Sequence, residues 1–270
     1  MFQNVGHVET GQVLGHEISG TIAEVGTEID DLHQGDRVTA LCDGGYAEYV
    51  RVERERVIPL PESVSFEQAA LAEPFAVGLR SVRDSGLRPG DTAGVIGAGP
   101  IGLFTMMAAR VAGALNVYVA EVAPGRSAKA EELGAMAVFN PKTEDAVEAV
   151  RKLEPDGLDV VFDCAGGQGT LTLALDMVKK GGEVLVVGLS GLPDEINTRS
   201  LFRSHAKIFA VPGALEVWPL SVKLIAQGRV DPSRIITDVI TLDDMPRFMQ
   251  ELQRPEGQVQ VLVDPWGDRF

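Results

Sequence analysis

Gly97, Gly99 and Gly102, spaced as G-x-G-x-x-G, constrain this chain more than any other feature. Asp91 to Ile96 leads into them and reads as a strand. Pro100 to Ala112 reads as a helix, and Val117 to Ala120 as a second strand that ends at Glu121. Strand, glycine turn, helix, strand and acid form the order of a dinucleotide-binding unit. The acid falls about 20 residues after the glycines, where such a unit needs it. Gly97 allows a tight turn, Gly99 lets backbone approach a pyrophosphate, and Gly102 lets the helix pack closely on the strand. The pyrophosphate charge then rests on free N–H groups at the helix start, and Glu121 accepts from the ribose hydroxyls.

Around this unit the pattern divides the chain into three segments. Residues 1–74 carry short strand-like runs, at Ile18 to Val25, Asp36 to Leu41 and Tyr46 to Val52, and read as part of an antiparallel β domain. Ser65 is placed to cap a following helix. Residues 75–213 alternate helix and strand, with further strands at Ala137 to Phe139, Leu158 to Cys164, Glu183 to Val187 and Lys207 to Val211. Parallel strands joined by helices predict an α/β doubly wound sheet, with ligands at the carboxyl ends of the strands. Residues 214–270 read as a helix to Gln227, a strand to Thr241, a helix from Asp243 to Gln253 capped by Asp243, and a last strand, Gln258 to Val263.

A formal net charge of −15 makes nucleic acid and anionic membrane poor partners. Two cysteines, Cys42 and Cys164, are too few for a disulfide framework and suit a reducing, cytoplasmic setting. The opening residues lack the basic and apolar regions of a signal peptide, and no run of apolar residues reaches membrane-spanning length.

Two further strings carry chemistry. Gly15-His16-Glu17 follows a short apolar run, and Glu73-Pro74 stands where the β segment hands over to the α/β segment. Together they offer an imidazole and two carboxylates, a zinc-type donor set. The strings Leu14-Gly15-His16-Glu17-Ile18-Ser19-Gly20, Gly35-Asp36-Arg37-Val38, Gly45-Tyr46-Ala47-Glu48-Tyr49-Val50 and Ala72-Glu73-Pro74, followed by the glycine motif, resemble the medium-chain dehydrogenase/reductase family. The likeness is to its zinc-dependent alcohol and polyol branch, with sorbitol and threonine dehydrogenases as relatives, and it runs from about Gly11 to Pro265.

The resemblance implies a Rossmann domain, a partial GroES-like catalytic domain and a C-terminal return to it. It implies NAD(H) and zinc as cofactors, a small alcohol or polyol as substrate, and a homo-oligomer. His16 and Glu73 correspond to metal ligands at the catalytic centre, and Glu17 to the adjacent glutamate, which either ligates the metal or stands just behind its ligands. Gly97, Gly99, Pro100, Ile101 and Gly102 correspond to the pyrophosphate turn, Glu121 to the ribose acid, and Arg126 to a basic residue flanking the adenosine. Val77 lies where a side chain backs the nicotinamide. Cys164-Ala165-Gly166, Gly188-Leu189 and Val211-Pro212 lie at strand ends that line the cofactor.

The pattern also departs from the family. The cysteine ligand and the relay hydroxyl expected well before the Gly-His-Glu string are absent from the fifteen residues ahead of His16, and Val38 to Gly45 bridges the place of the four-cysteine lobe. An impaired zinc site and unpaired sheet edges are the expectation. Cys42 and His7 are substitute ligands to consider, although Cys42 reads first as a small residue in a shortened loop. Cys164 reads as core or cofactor wall, His33 and His205 as surface, and Asp163 as a polar strand end. Two rival functions stay open: a non-catalytic NAD(H)-binding protein and a zinc-free NAD(P)H reductase.

Overall fold

The computed structural model describes residues 11–189, 195–211, 213–252 and 257–267; His7, Pro212 and Gln253 lie outside them. The described chain forms two compact units. One comprises residues 77–214 with 257–259, and the other residues 11–76, 215–252 and 260–267. No helix among the described residues is long and apolar enough to cross a membrane.

The discontinuous unit begins with three antiparallel strands in the order β1 (Glu17–Thr21), β2 (Arg37–Leu41), β3 (Val57–Pro59). Glu17 stands opposite Leu41, and Val38 opposite Pro59. Helix α1 (Phe66–Ala70) is started by Ser65, whose hydroxyl accepts from the Gln68 N–H while the Gln68 side chain accepts from the Ser65 N–H. This reciprocal pair satisfies two amides that the helix leaves free. Ser19 Oγ donates to Phe66 O at 2.6 Å, and Arg37 lies over the Phe66 ring, fastening α1 to the sheet. Helix α2 (Ala72–Asp84) carries the chain into the other unit.

That unit is a six-stranded parallel sheet in the order β6-β5-β4-β7-β8-β9. In chain order its elements are β4 (Thr92–Ile96), α3 (Pro100–Val111), β5 (Asn116–Ala120), α4 (Pro124–Glu132), β6 (Ala137–Phe139), α5 (Ala146–Leu153), β7 (Leu158–Asp163), α6 (Thr170–Met177), β8 (Val178–Val186), α7 (Thr198–Ser204) and β9 (Lys207–Ala210). Every residue of β4 is buried, which explains its unbroken apolar run: a central parallel strand is covered on both faces. The order reverses between β4 and β7, and the crevice at that switch point is where doubly wound sheets bind ligands. Leu103, Phe104 and Met106 of α3 are fully buried, and Tyr118 packs with Phe139, Val150 and Leu175 in the core.

The chain then returns to the discontinuous unit through α8 (Trp218–Ala226), β10 (Ile236–Thr241), α9 (Met245–Glu251) and β11 (Gln260–Asp264). Strands β10 and β11 pair in parallel. Apolar surface in this unit is exposed at Val13, Tyr49 and Val239, and β1 and β3 are the outer strands of their sheet among the described residues.

Two expectations need correction. Tyr46 to Val52 is not a strand: the Gly45 and Tyr46 amides bond to Gly15 O and Leu14 O, and Tyr49 turns outward against the edge of Trp266. The third strand comes later, at Val57–Pro59. Asp243 does not cap α9. Asp244 holds the cap position, and its carboxylate bonds the Thr241 hydroxyl and N–H instead. Helix α7, unmarked by any strong apolar period, is capped by Asn197.

A candidate metal centre and dinucleotide cradle

His16 and Glu17 are neighbours, and consecutive strand residues point to opposite faces. Their convergence follows from position. Glu17 opens β1, whereas His16 stands just ahead of it, after Gly15 at φ +89°. A side chain at position 15 would be strained there and would press on the Tyr46 N–H. His16 Nε2 lies 3.3 Å from Glu17 Oε1. Glu73 arrives from the first turn of α2, where the helix dipole favours an acid. The start of that helix is held by Ser221, fully buried on α8, whose hydroxyl donates to Ala72 O at 2.6 Å.

One ligand atom from each of His16, Glu17 and Glu73 lies within 4.8 Å of the others. Donors around a tetrahedral zinc stand about 3.4 Å apart at ordinary bond lengths, so small side-chain rotations close the set on an ion. The electrostatics agree. Burial and the Glu17 charge push the Glu73 carboxyl up to about 7, and the bond to Glu17 raises His16, with Glu73 and Asp43 adding to it. Two acids crowded against one imidazole are short of positive charge, and a divalent cation supplies it. Cys42 stays out of this group. Its N–H bonds His16 O at 3.0 Å, its sulfur is not among the converging atoms, and burial raises its thiol, with Asp43 adding to this.

A pH dependence follows. The folded Glu73 pKa lies above its ordinary 4.5, so protonated Glu73 is the state that the metal-free fold favours. Its stabilising share is whole below about 4.5 and is lost as pH rises through about 7. A cation competes with that proton, so affinity for zinc rises between pH 6 and 8 by about tenfold. Calorimetric titrations at several pH values check this; a flat profile across that range would contradict the assignment of Glu73.

In the sheet unit, Gly97 turns with φ +91°, and a side chain there would crowd Ala165 at 3.0 Å. A Cβ on Gly102 would stand inside the carbonyl oxygen of Gly97. Gly99 differs: an added Cβ would meet only Arg126 Nη1, at 3.8 Å. It caps α3 with Pro100 in the first position, and the first helical bond runs from the Leu103 N–H to Gly99 O, so the Ile101 and Gly102 amides precede it. Open space, leading amides and a guanidinium at the rim suit a pyrophosphate. Arg126 itself donates from Nε to Gln258 O.

Glu121 is 6% exposed, and its carboxylate accepts the N–H groups of Ala98 at 2.6 Å, Val122 at 2.7 Å and Ala123 at 2.8 Å. It therefore ties the glycine turn to the turn after β5, a task that sequence reading did not assign to it. Val77 lies on α2, and its carbonyl accepts the Ser81 hydroxyl. Cys164 Sγ lies 3.6 Å from the Thr105 hydroxyl of α3, and burial pushes its thiol up to about 12. Ala165 abuts Gly97, Gly188 bonds Asp163 O, Val211 bonds Val186 O, and Leu189 is 84% exposed.

A doubly wound sheet with a turn open enough for a phosphate thus stands in the same chain as a His-Glu-Glu cluster. Comparison with known proteins specifies the class. The zinc-binding dehydrogenase family pattern matches residues 100–227, and that of the alcohol dehydrogenase GroES-like domain matches residues 1–62. The (R,R)-butanediol dehydrogenase of Bacillus subtilis is 34% identical over 284 residues, covering 95% of this chain and 82% of the relative. The sorbitol dehydrogenase of the same organism is 30% identical over 290 residues, covering 96% and 82%. Among solved structures, 2R,3R-butanediol dehydrogenase from B. subtilis superposes with a TM-score of 0.88 at 33% identity, covering 95% of this chain and 82% of that one. A zinc-binding dehydrogenase from Sinorhizobium meliloti, bound to NADP, gives 0.86 at 31%, covering 93% and 83%. The chain belongs to the zinc-dependent medium-chain dehydrogenase/reductase family, in its alcohol and polyol dehydrogenase branch, and is an oxidoreductase.

Proposed function

We propose that this protein is an NAD(H)-dependent dehydrogenase of small secondary alcohols or polyols, with His16, Glu17 and Glu73 as its metal ligands. The convergence of those three side chains carries the reading. It favours this function over a zinc-free reductase and over a non-catalytic nucleotide-binding protein, neither of which needs two half-buried acids beside an imidazole. Residues 1–74 and 214–270 form the GroES-like catalytic part in this reading, and residues 75–213 the Rossmann part.

When bound, zinc supplies Lewis acidity toward a hydroxyl oxygen, and nicotinamide supplies the carbon that accepts hydride. The chain's own residues bind and orient. His16, Glu17 and Glu73 would hold the ion. Gly97, Gly99, Pro100, Ile101 and Gly102 would cradle the pyrophosphate, and Arg126 would flank the nucleotide. Val77, Cys164, Ala165, Gly188, Leu189 and Val211 line the remainder of the dinucleotide. The sheet's edge strand β9, with Phe209 exposed on it and Phe202 exposed nearby on α7, is the surface that a homo-oligomer would cover.

Glu121 sets the choice of nucleotide. Its carboxylate is held by three backbone amides, and in this reading it repels a 2′-phosphate and accepts a free hydroxyl. NADH is expected to bind at least about tenfold more tightly than NADPH. Glu121→Gln narrows that gap. Glu121→Ala weakens both nucleotides, because it also strips the Ala98 amide of its acceptor. Fluorescence titrations of the three proteins decide, and equal or tighter NADPH binding to the unaltered chain would shift the choice to Arg126.

A further inference from the structure

Asp163 does more than end a strand. It is 2% exposed, and its Oδ1 accepts the N–H groups of Ala165 at 3.1 Å and Gly166 at 3.2 Å. Its Oδ2 accepts the hydroxyl of Thr170, the first residue of α6, at 2.8 Å. Its backbone carbonyl accepts the Val187 and Gly188 amides at 2.9 and 2.8 Å. One residue thus holds the turn that follows β7 and the segment that follows β8.

Those segments touch with no side chain between them. A Cβ on Gly188 would stand 2.6 Å from the Gly166 N and 2.7 Å from the Cys164 carbonyl carbon, and one on Gly97 would stand 3.0 Å from the Ala165 Cβ. The turns after β4 and β8 therefore both press on residues 164–166, the segment that the Asp163 carboxylate holds. If residues 164–166 relax, the glycine turn and the Gly188 segment lose their common support.

We propose that Asp163 is a positioning residue for the dinucleotide, fixing the spacing of these three turns; this rests on the reading of the glycine turn as a nucleotide cradle. A neutral acceptor does part of this work. In Asp163→Asn the side-chain oxygen still takes the two amides, while Thr170 keeps its partner at Gly167 O, 2.7 Å away. Asp163→Ala leaves both amides without their acceptor.

The test measures NADH dissociation constants, KM and kcat for the full chain with Asp163→Ala, Asp163→Asn, Thr170→Val and, as a control, Val150→Ala, a fully buried core change on α5. Asp163→Ala is expected to raise the NADH dissociation constant and the cofactor KM by about tenfold, Asp163→Asn by less than about threefold, and Thr170→Val by an intermediate factor. Val150→Ala lowers the melting temperature and leaves the dissociation constant unchanged. If Asp163→Ala does not fold, Thr170→Val and Asp163→Asn decide. Unchanged affinity in Asp163→Ala or, failing that protein, in Thr170→Val overturns the proposal. So does an affinity loss in Val150→Ala that tracks its melting temperature as the others do. Unaltered protein that binds neither NADH nor NADPH overturns the cradle reading, and this proposal with it.

Discussion

Gly99→Val abolishes nucleotide binding and leaves the sheet folded, whereas Gly102→Val prevents the sheet unit from folding. The two glycines stand three residues apart in one motif, and the difference lies in what each faces. At Gly102 a side chain would occupy the position of the Gly97 carbonyl oxygen, so α3 would have to leave β4. Backbone cannot step aside as a flexible side chain can, and the cost exceeds about 4 kcal/mol, a large part of a domain's total stability. At Gly99 the backbone has an ordinary φ of −70°, and the nearest atom is the tip of Arg126. Valine there loses only a favourable cap, about 1 kcal/mol. Its side chain fills the space that a pyrophosphate would take, and the NADH dissociation constant rises by about a hundredfold or more. Circular dichroism, thermal melts and NADH titration of both proteins separate the two effects. Gly99→Val with unaltered affinity would mean that this turn cradles no phosphate.

Removing one member of the metal group has the second large effect. With His16→Ala or Glu73→Gln the set falls to two donors, too few for a stable tetrahedral site, and zinc affinity falls by about a hundredfold or more. Turnover on a panel of secondary alcohols and polyols falls with it. NADH affinity stays within about twofold, since the glycine turn contributes none of the three ligands. The unaltered set, one imidazole and two carboxylates, is harder than a thiolate-bearing one, so manganese and cobalt compete with zinc better than at a cysteine-containing site. Elemental analysis after dialysis, with metal competition, checks both statements. Undiminished zinc in His16→Ala and Glu73→Gln would place the metal elsewhere.

The parts of this molecule governed by short-range pattern were legible in the sequence. The β4–α3–β5 unit was readable because a buried parallel strand must be an unbroken apolar run, and because the turn between strand and helix permits only glycine at two places. Ser65 and its capping box were readable because both partners lie within four residues. What escaped depends on long-range contacts. Strand β3 is three residues long and gains its identity from pairing with β2. Tyr46 to Val52 alternates like a strand, yet it spends its first amides on the segment before His16. His16 and Glu17 lie more than fifty residues from Glu73 in the chain, and no periodicity links them, so only the family likeness joined them before the geometry did. Ser221, which fastens the start of α2 from 149 residues away, left no local trace at all. Asp163 looked like any polar strand end because two of its partners are backbone amides and the third is a lone hydroxyl seven residues on.

The broken course of the unit that carries the metal group sets an order of events during synthesis. Residues 77–214 emerge from the ribosome as one stretch and contain every strand of the parallel sheet, so that sheet can close while translation continues. The earlier-made His16, Glu17 and Glu73 must wait. The bond that steadies Glu73's helix comes from Ser221, and β10 and β11 follow later still. A nascent chain stalled near residue 214 is therefore expected to hold the elements of the proposed nucleotide cradle before the proposed metal group is complete. It would acquire its two cofactors in a fixed sequence, the dinucleotide first and the ion last.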